Sequence, residues 1–269
     1  YSQWFEVEAV EVLNGDEDRV STEGGRDKNN KEYIADWKTI RPIKKEESIG
    51  WNTIPRKATI DIECRTPNYN QMTDPNRHDN DVYLISVIFS KKGYDDEKYL
   101  LSSVKMNDIK KSKLFNMDAE IIYADNEVEL IEKFAELIKY LSPEIIDGWN
   151  IYGFDFNYLR VRMAKKFGKF PSMSRLKPYF QNGKMIGVEE YFIIKEWSSS
   201  GFGNNKFCYP SADGLICLDE LLAVKRLFKY DKYTLDFCSK EILKNKIPEN
   251  IVRLTSISIK LKPLVFLKR

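Results

Sequence analysis

The nine residues from 82 to 90, VYLISVIFS, constrain the fold more than any other part of the sequence. A strand with one wet face alternates apolar and polar residues, whereas an almost continuous apolar run is typical of a strand that is buried on both faces. The run therefore predicts a sheet in which this segment is a central strand.

The segments around this run predict an α/β fold. Strand patterns occur at ATIDIEC (58–64), KYLLSSV (98–104), EIIYAD (120–125) and EIIDGWN (144–150). Helical patterns occur at DNEVELIEKFAELIKYLSP (125–143), FNYLRVRMAKKFG (156–168) and KYTLDFCSKEIL (232–243), and GLICLDELLAVKRLFKYD (214–231) reads as a strand leading into a helix. Strands that come first and then alternate with helices predict a mixed, partly antiparallel sheet with helices on both faces.

The strongest helical pattern is the one at 125–143. Asp125 or Asn126 can cap its N-terminus, and Pro143 follows its end. Its predicted apolar face consists of Val128, Ile131, Phe134, Ala135, Ile138 and Leu141.

Two regions give weaker patterns. Residues 1–56 are polar and charged, with a strand-like alternation in WFEVEAVEVL (4–13) and an exposed-loop composition in 15–33. We interpret them as a partial N-terminal module or leader, and residues 57–269 as the main domain. Residues 171–212 are rich in Ser, Gly, Asn and Pro without periodicity, which favours an insertion or a long excursion.

Composition excludes several kinds of site. The chain has one histidine, His78, and lacks a G-x-S-x-G elbow, so it offers neither a histidine-rich metal site nor a serine triad of that type. Its 4 cysteines are scattered without a C-x-x-C pair, which fits a reducing compartment better than a disulfide or zinc framework. No apolar run approaches the roughly 20 residues that span a bilayer.

Charge alone does not identify a partner. The net charge of +2 comes from 43 basic and 41 acidic residues, so a nucleic-acid surface would require local clustering. One candidate is the basic set in the second helical segment, although it could equally be a solvated helix face; its members are Arg160, Arg162, Lys165, Lys166 and Lys169.

Asp61 and Glu63 are the first candidate metal ligands. Residues i and i+2 of a strand project to the same face, so both carboxylates can address one metal pair. Hard cations such as Mg²⁺ prefer carboxylate oxygens, and two of them about 3.5–4 Å apart can activate water and stabilise a leaving oxygen in phosphodiester hydrolysis. The apolar flanks suggest a buried strand, on which two acids would be costly without neutralising cations. The alternative is an edge strand with ordinary exposed acids.

Asp155 is the next candidate, at the predicted start of the second helix. A carboxylate is favoured there and can point back over the sheet. Simple helix capping is the alternative. Asn150 and Phe154 accompany Asp155 in an N-x-x-x-F-D spacing that occurs once in the chain.

Together, DIE and NIYGFD resemble the first two exonuclease motifs of family B DNA polymerases. The segment NQMTDPNRHDNDVYLISVIFS (70–90) resembles the text after the first motif in polymerases of large eukaryotic DNA viruses. GLICLDELLAVKR and YTLDFCSKEIL resemble family segments downstream of the second motif. The resemblance covers residues 57–243.

The resemblance implies a ribonuclease-H-like 3′→5′ exonuclease fold that uses two divalent metal ions, Mg²⁺ or Mn²⁺. Asp61, Glu63 and Asp155 would be catalytic, metal-binding carboxylates. Asn150 would position the frayed 3′ strand, and Phe154 would pack against its terminal bases. The implied partners are DNA (a single-stranded 3′ end and primer–template), the remainder of the polymerase chain and replication accessory factors. No membrane is implied, and the location would be intracellular, in the cytoplasm or nucleus of an infected host cell if the source is a virus.

The family's third motif, Y-x-x-x-D, is not found after YTLDFCSKEIL. The one such spacing, Tyr209–Asp213, precedes the strand that it should follow, and we interpret it as a loop coincidence. The D-x-x-S-L-Y-P-S and D-T-D-S polymerase signatures are also absent. We therefore expect a partial polymerase chain that is incomplete at its C-terminus and hydrolyses DNA weakly or not at all by itself.

Two alternatives stay open at this point. One is a stand-alone exonuclease of the wider acidic superfamily that acts on RNA or DNA, and the other is a non-catalytic DNA-binding remnant. The main interpretation requires residues 61, 63 and 155 to meet at one place. Without metal, such neighbouring acids repel each other, so at least one of their pKa values should be raised.

Overall fold

The computed structural model describes residues 4–11, 33–51, 54–67, 70–104, 119–167, 170–174, 179–181, 184–186, 192–199, 203–212 and 214–243. The chain forms two compact units, one from residues 1–147 and 151–218 and the other from residues 148–150 and 219–269.

In the described part of the chain, strands come first and the α-helices begin only at Glu127. The strands are β1 (Phe5–Glu6), β2 (Ala9–Glu11), β3 (Tyr33–Ala35), β4 (Arg41–Pro42), β5 (Lys57–Cys64), β6 (Val82–Ser90), β7 (Glu97–Ser102), β8 (Glu120–Tyr123), β9 (Ile145–Gly148), β10 (Tyr179–Gln181), β11 (Lys184–Ile186), β12 (Phe192–Ser199), β13 (Gly203–Pro210) and β14 (Ile216–Asp219). The helices are α1 (Glu127–Leu141), α2 (Asp155–Phe167), α3 (Glu220–Leu227) and α4 (Leu235–Leu243), with a short 3₁₀ turn at Trp37–Thr39.

The main sheet has six strands in the order β14-β9-β5-β6-β7-β8. Strand β6 is antiparallel to both of its neighbours, whereas β5 runs parallel to β9 and β7 runs parallel to β8. The prediction of a mixed sheet with VYLISVIFS as a central strand is confirmed.

One face of β5 carries the hydrophobic core. Ala58, Ile60 and Ile62 are at most 5% exposed, and they lie opposite Phe89, Val87 and Ile85 of β6. Because side chains alternate along a strand, Asp61 and Glu63 belong to the other face. The predicted inward direction of Ile60 and Ile62 is confirmed.

Helix α1 packs on β6 and β7 of this sheet. Its N-cap is Asn126, whose side-chain oxygen accepts the backbone N–H groups of Val128 (3.0 Å) and Glu129 (3.1 Å). Ser142 ends the helix in the left-handed conformation, with φ 48°. The buried stripe is wider than predicted, because Leu130 and Leu137 also lie in the core.

Arg162, at the centre of the predicted basic set, is buried and so belongs neither to a DNA surface nor to a solvated helix face. Arg162 is 3% exposed and pairs with Glu127 of α1 at 2.7 Å. Arg160 is half-buried and bonds Asn157, and the ammonium of Lys165 donates to the carbonyl of Asn76 at 2.7 Å. The side chains of Lys166 and Lys169 lie outside the described residues. The prediction was wrong for Arg162, because its buried partner lies on another helix.

One further strand prediction needs correction, and one region of weak pattern contains regular structure. Residues 171–212, predicted as an insertion or a long excursion, include a regular antiparallel hairpin of β12 and β13, in register from Phe192 opposite Pro210 to Ser199 opposite Gly203. The run at 4–13 forms two strands rather than one, because β1 pairs with β4 and β2 pairs with β3. The end of α2 at Gly168 and all of 244–269 lie outside the described part of the chain. The boundary at residue 57 stays a prediction.

In the second unit, Asp219 caps α3 by accepting the backbone N–H of Leu221 at 3.0 Å. Helix α4 follows, as the sequence pattern predicts.

None of the described helices has the length and apolar character needed to cross a bilayer.

Candidate active site

Asp61 and Glu63 lie on one face of β5, as predicted. They oppose Ser86 and Leu84 of β6 in the sheet register. Asp61 is exposed and Glu63 is half-buried, so the inference that both acids sit on a fully buried strand was wrong for Asp61. The alternative of an edge strand is also wrong, because β5 lies between β9 and β6.

Asp155 is the first residue of α2 and is 2% exposed. Its Oδ1 accepts the backbone N–H of Ile62, the residue between the two strand acids, at 3.1 Å. This bond joins residues 93 positions apart, whereas a helix-capping side chain bonds backbone groups in the first turn of its own helix. Asp155 is therefore docked on β5 beside the strand positions that carry Asp61 and Glu63.

The sheet topology explains why the backbone of β5 can receive this side chain. The pairing of β5 with the parallel strand β9 runs from Lys57 opposite Ile145 to Thr59 opposite Asp147. Strand β9 ends at Gly148, so this edge of β5 is uncovered at Ile62. Backbone N–H groups lie in the plane of a sheet, and Asp155 accordingly meets the strand at its edge.

The turn between β9 and α2 sets the direction of the helix. The backbone N–H of Phe156 donates to the carbonyl of Ile151 at 3.0 Å, and that of Tyr158 donates to Phe154 at 2.8 Å. Phe154 is half-buried, with its ring centre 5.3 Å from that of Tyr158. These contacts fix the backbone of Phe154 and Asp155 at the start of the helix.

Electrostatics around Cys64, the residue after Glu63, report the same proximity. Burial is the main cause that raises the pKa of the Cys64 thiol, and the negative charges of Asp155 and Glu63 raise it further. Burial and the charge of Glu63 also raise the pKa of Tyr83 to about 12. The negative charges of Asp155 and Glu63 therefore both lie close enough to the Cys64 thiol to disfavour its ionisation.

A polar clamp fastens α2 to the loop between β5 and β6. The hydroxyl of Tyr158 donates to the carbonyl of Asn80 at 2.7 Å, and Arg162 donates to the carbonyls of Pro75 (3.3 Å) and Arg77. Arg162 also forms two bonds of 2.7 Å with the carboxylate of Glu127. The clamp holds the helix that carries Asp155.

Sequence reasoning missed Asp147, a third carboxylate on the face of Asp61. It is 5% exposed, and its oxygens bond the Thr59 hydroxyl at 2.6 Å and the Lys57 ammonium at 2.9 Å. Its position as a charged interruption in the apolar strand EIIDG was a signal that could have identified it. Its ion pair with Lys57 offsets its negative charge.

Asn150 belongs to the second unit, in which its backbone N–H donates to Oδ1 of Asp219 at 3.1 Å. Its φ of 63° lies in the left-handed region. Sequence reasoning also missed Asp219, and nothing in its pattern beyond a helix-capping position marked it.

The carboxylates suit a magnesium or manganese site by their chemistry, because both cations prefer oxygen ligands. Asp155 also lies at the strand segment that carries Asp61 and Glu63, since it bonds Ile62 between them. Within the described residues, however, no three His, Cys, Asp or Glu side chains are gathered closely enough to hold a metal ion. The metal site and the raised carboxyl pKa values stay predictions.

Comparison with known proteins identifies the family. A model of the exonuclease domain of DNA polymerase family B matches residues 2–237. DNA polymerase 037L of Invertebrate iridescent virus 6 is 28% identical over 255 residues, which cover 90% of this chain and 18% of the viral protein. The DNA polymerase delta catalytic subunit of Drosophila melanogaster is 26% identical over 129 residues, covering 48% of this chain and 11% of that subunit.

A further relative is the DNA polymerase catalytic subunit of Human herpesvirus 7 (strain JI), 28% identical over 201 residues that cover 72% of this chain and 17% of the subunit. The chain spans about a fifth or less of the length of the curated relatives it matches. Since these relatives are named DNA polymerases, neither the stand-alone exonuclease nor the non-catalytic remnant is favoured.

Proposed function

We propose, from the premise that this chain belongs to the exonuclease-domain family of DNA polymerase family B, that its site serves to remove nucleotides from the 3′ end of DNA with the help of divalent metal ions, with weak hydrolysis expected from this chain by itself. The single observation that best supports this role is the bond from Ile62 to Asp155. It brings the acid of the second motif to the strand segment that carries both acids of the first.

Asp61, Glu63 and Asp155 would hold the metal ions in this proposal. Two bound cations would supply an activated water and stabilise the leaving oxygen of the cleaved phosphodiester. The exposed side of Asp61 leaves room for a phosphate to approach β5, and Asp155 is fixed at the strand edge by its bond to Ile62. The protein's part is to keep these carboxylates in place before the substrate arrives.

Asn150 and Phe154 would hold the substrate. Aromatic rings stack on unpaired bases without strong sequence preference, at about 1–3 kcal/mol per base. Phe154 is half-buried beside Asp155, so part of its ring is available for such contact. For Asn150 the support is its place in the motif and its unusual backbone conformation.

The same proposal extends to the whole protein. DNA as a single-stranded 3′ end and primer–template, the remainder of a polymerase chain and replication accessory factors would be its partners. The viral relatives support action inside an infected cell, in the cytoplasm or nucleus.

The test replaces Asp61 or Asp155 by Asn in the full chain and follows digestion of 3′-labelled single-stranded DNA with Mg²⁺ or Mn²⁺. Loss of a metal ligand is expected to slow hydrolysis at least about 100-fold. Asp95→Asn is a matched control, because Asp95 and Glu97 share the D-x-E spacing but Asp95 lies in an exposed loop.

Manganese binding provides a second readout that does not need turnover. Electron paramagnetic resonance of Mn²⁺ should show weaker binding by Asp61→Asn and Asp155→Asn, with binding by Asp95→Asn unchanged. Hydrolysis and Mn²⁺ binding that both survive in Asp61→Asn and Asp155→Asn would refute the proposed site.

A further inference from the structure

Asn150 has a backbone conformation that needs an explanation. Among the described residues, it and Ser142 are the two non-glycine residues with positive φ, at 63° and 48°. Ser142 terminates α1, and its backbone N–H donates to Ile138 at 2.9 Å, as a helix end in this conformation commonly does. Asn150 follows a strand instead; asparagine enters the left-handed region more readily than most other residues besides glycine, but this is still a minority conformation for it.

Asp219 supplies a contact that holds Asn150 in this state. Its Oδ1 accepts the backbone N–H of Asn150 at 3.1 Å and the backbone N–H of Leu221 at 3.0 Å. Asp219 is 7% exposed, so water competes little for this oxygen. A buried carboxylate makes stronger hydrogen bonds than a neutral acceptor does.

Oδ1 of Asp219 therefore has two structural roles. It caps α3, which begins at Glu220, and it fixes the backbone of a motif residue 69 positions earlier in the chain. The rotamers that a side chain can adopt depend on the φ and ψ of its own residue. The acceptor at Asp219 consequently restricts where the Asn150 amide can point.

We propose that Asp219 is a positioning residue that keeps Asn150 in the left-handed conformation and so determines how Asn150 contacts the 3′ strand. The role of Asn150 as a substrate contact rests on the proposed function above. The position of its backbone does not, and it can be measured without DNA.

The first measurement is amide hydrogen exchange by NMR in the full chain. Asp219→Ala removes the acceptor and should speed exchange of the Asn150 amide by about tenfold or more. Asp219→Asn keeps a side-chain oxygen without the charge and should give an intermediate rate, and it serves if the alanine variant does not fold. Unchanged exchange in the folded variant would overturn the proposal.

The second measurement asks whether Asp219 acts through Asn150. With a single-stranded 3′ end as substrate, Asp219→Ala should raise KM about tenfold and change kcat less than about twofold. In an Asn150→Ala background, the same change should raise KM no further, whereas a purely structural cap would lower Tm in both backgrounds and raise KM equally in both. An equal rise in KM would overturn the proposal.

If the chain does not hydrolyse DNA, the Kd for a fluorescent single strand in Ca²⁺ replaces KM in the same cycle. A failure of the proposed exonuclease function would then appear as an absence of cleavage. A failure of the positioning proposal would appear as unchanged Asn150 exchange, so the two results are distinguishable.

Discussion

Replacing Glu127 by Gln tests the clamp that holds α2. The carboxylate of Glu127 is bonded at both oxygens by Arg162, at 2.7 Å each, and Oε1 also accepts the backbone N–H of Val82 at 2.8 Å. Gln has nearly the same shape but no charge. One of its two terminal groups is an amide that donates, so it would meet a donating N–H of Arg162.

The magnitude follows from the burial of the pair. The side chains of Arg162 and Glu127 are 3% and 2% exposed, so solvent does not screen the charge that remains. Removing one partner of a buried pair costs about 3–5 kcal/mol. Arg162 retains the carbonyls of Pro75 and Arg77 as acceptors, which places the expectation at the lower end, about 3 kcal/mol less free energy of unfolding.

Urea unfolding followed by far-UV circular dichroism measures this loss, provided that the m-value is unchanged. Glu196→Gln is the control, because it makes the same substitution in an exposed pair with Lys206 and should leave the midpoint unchanged. Arg162→Met and the double variant complete the cycle. The free energies of unfolding lost in the two single variants should add up to at least about 2 kcal/mol more than the free energy lost in the double variant. A loss below about 1 kcal/mol in Glu127→Gln, or additivity within about 0.5 kcal/mol, would show that the pair is not a clamp.

Three further predictions concern other parts of the first unit. Asn126→Ala should lower the free energy of unfolding by about 1 kcal/mol because α1 loses its N-cap, and a thermal midpoint equal to that of the unsubstituted chain would contradict this. The pKa of Cys64 is raised above its ordinary 9.0 in the folded chain, so its contribution to stability is complete below pH 9.0 and is lost as the pH rises above it. Urea midpoints measured from pH 8 to 10 should therefore fall less steeply in Cys64→Ala, and parallel slopes would disprove the assignment. Mn²⁺ at about 100 times its Kd should stabilise the chain by about 2.7 kcal/mol, with no such gain in Asp155→Asn, and an equal rise of Tm in both would place the cation elsewhere.

Local patterns predicted the elements that carry the candidate site. The strand period of two placed Asp61 and Glu63 on one face of β5, and the apolar run correctly identified β6 as a central strand. The helical period and the Asn126 cap predicted α1. These features depend on residues a few positions apart, so a single sequence is sufficient to detect them.

The contacts that position the acids are long-range and could not be predicted in this way. Arg162 looked like one of several surface bases, and only the fold brings it to Glu127, 35 residues earlier. The bond from Asn150 to Asp219 spans 69 residues. The hairpin of β12 and β13 was missed for another reason: its strands do not alternate apolar and polar residues, and pairing rather than periodicity defines it.

The hydrogen bond from Ile62 to Asp155 shows that position 155 needs a hydrogen-bond acceptor for the fold and a negative charge only for the proposed metal binding. Strand β9 leaves the Ile62 N–H uncovered, so the fold requires an acceptor at position 155, since an unpaired buried N–H costs about 1–3 kcal/mol. An asparagine would still accept this N–H with its carbonyl oxygen, through a weaker bond than the charged carboxylate makes and without the about 0.3–1 kcal/mol that a negative charge contributes at a helix N-terminus. The bond to Ile62 can therefore be kept without a carboxylate, whereas the proposed binding of a divalent cation requires the charge of Asp155. Asp155→Asn should accordingly fold and lose Mn²⁺, whereas Asp155→Ala should lose stability as well.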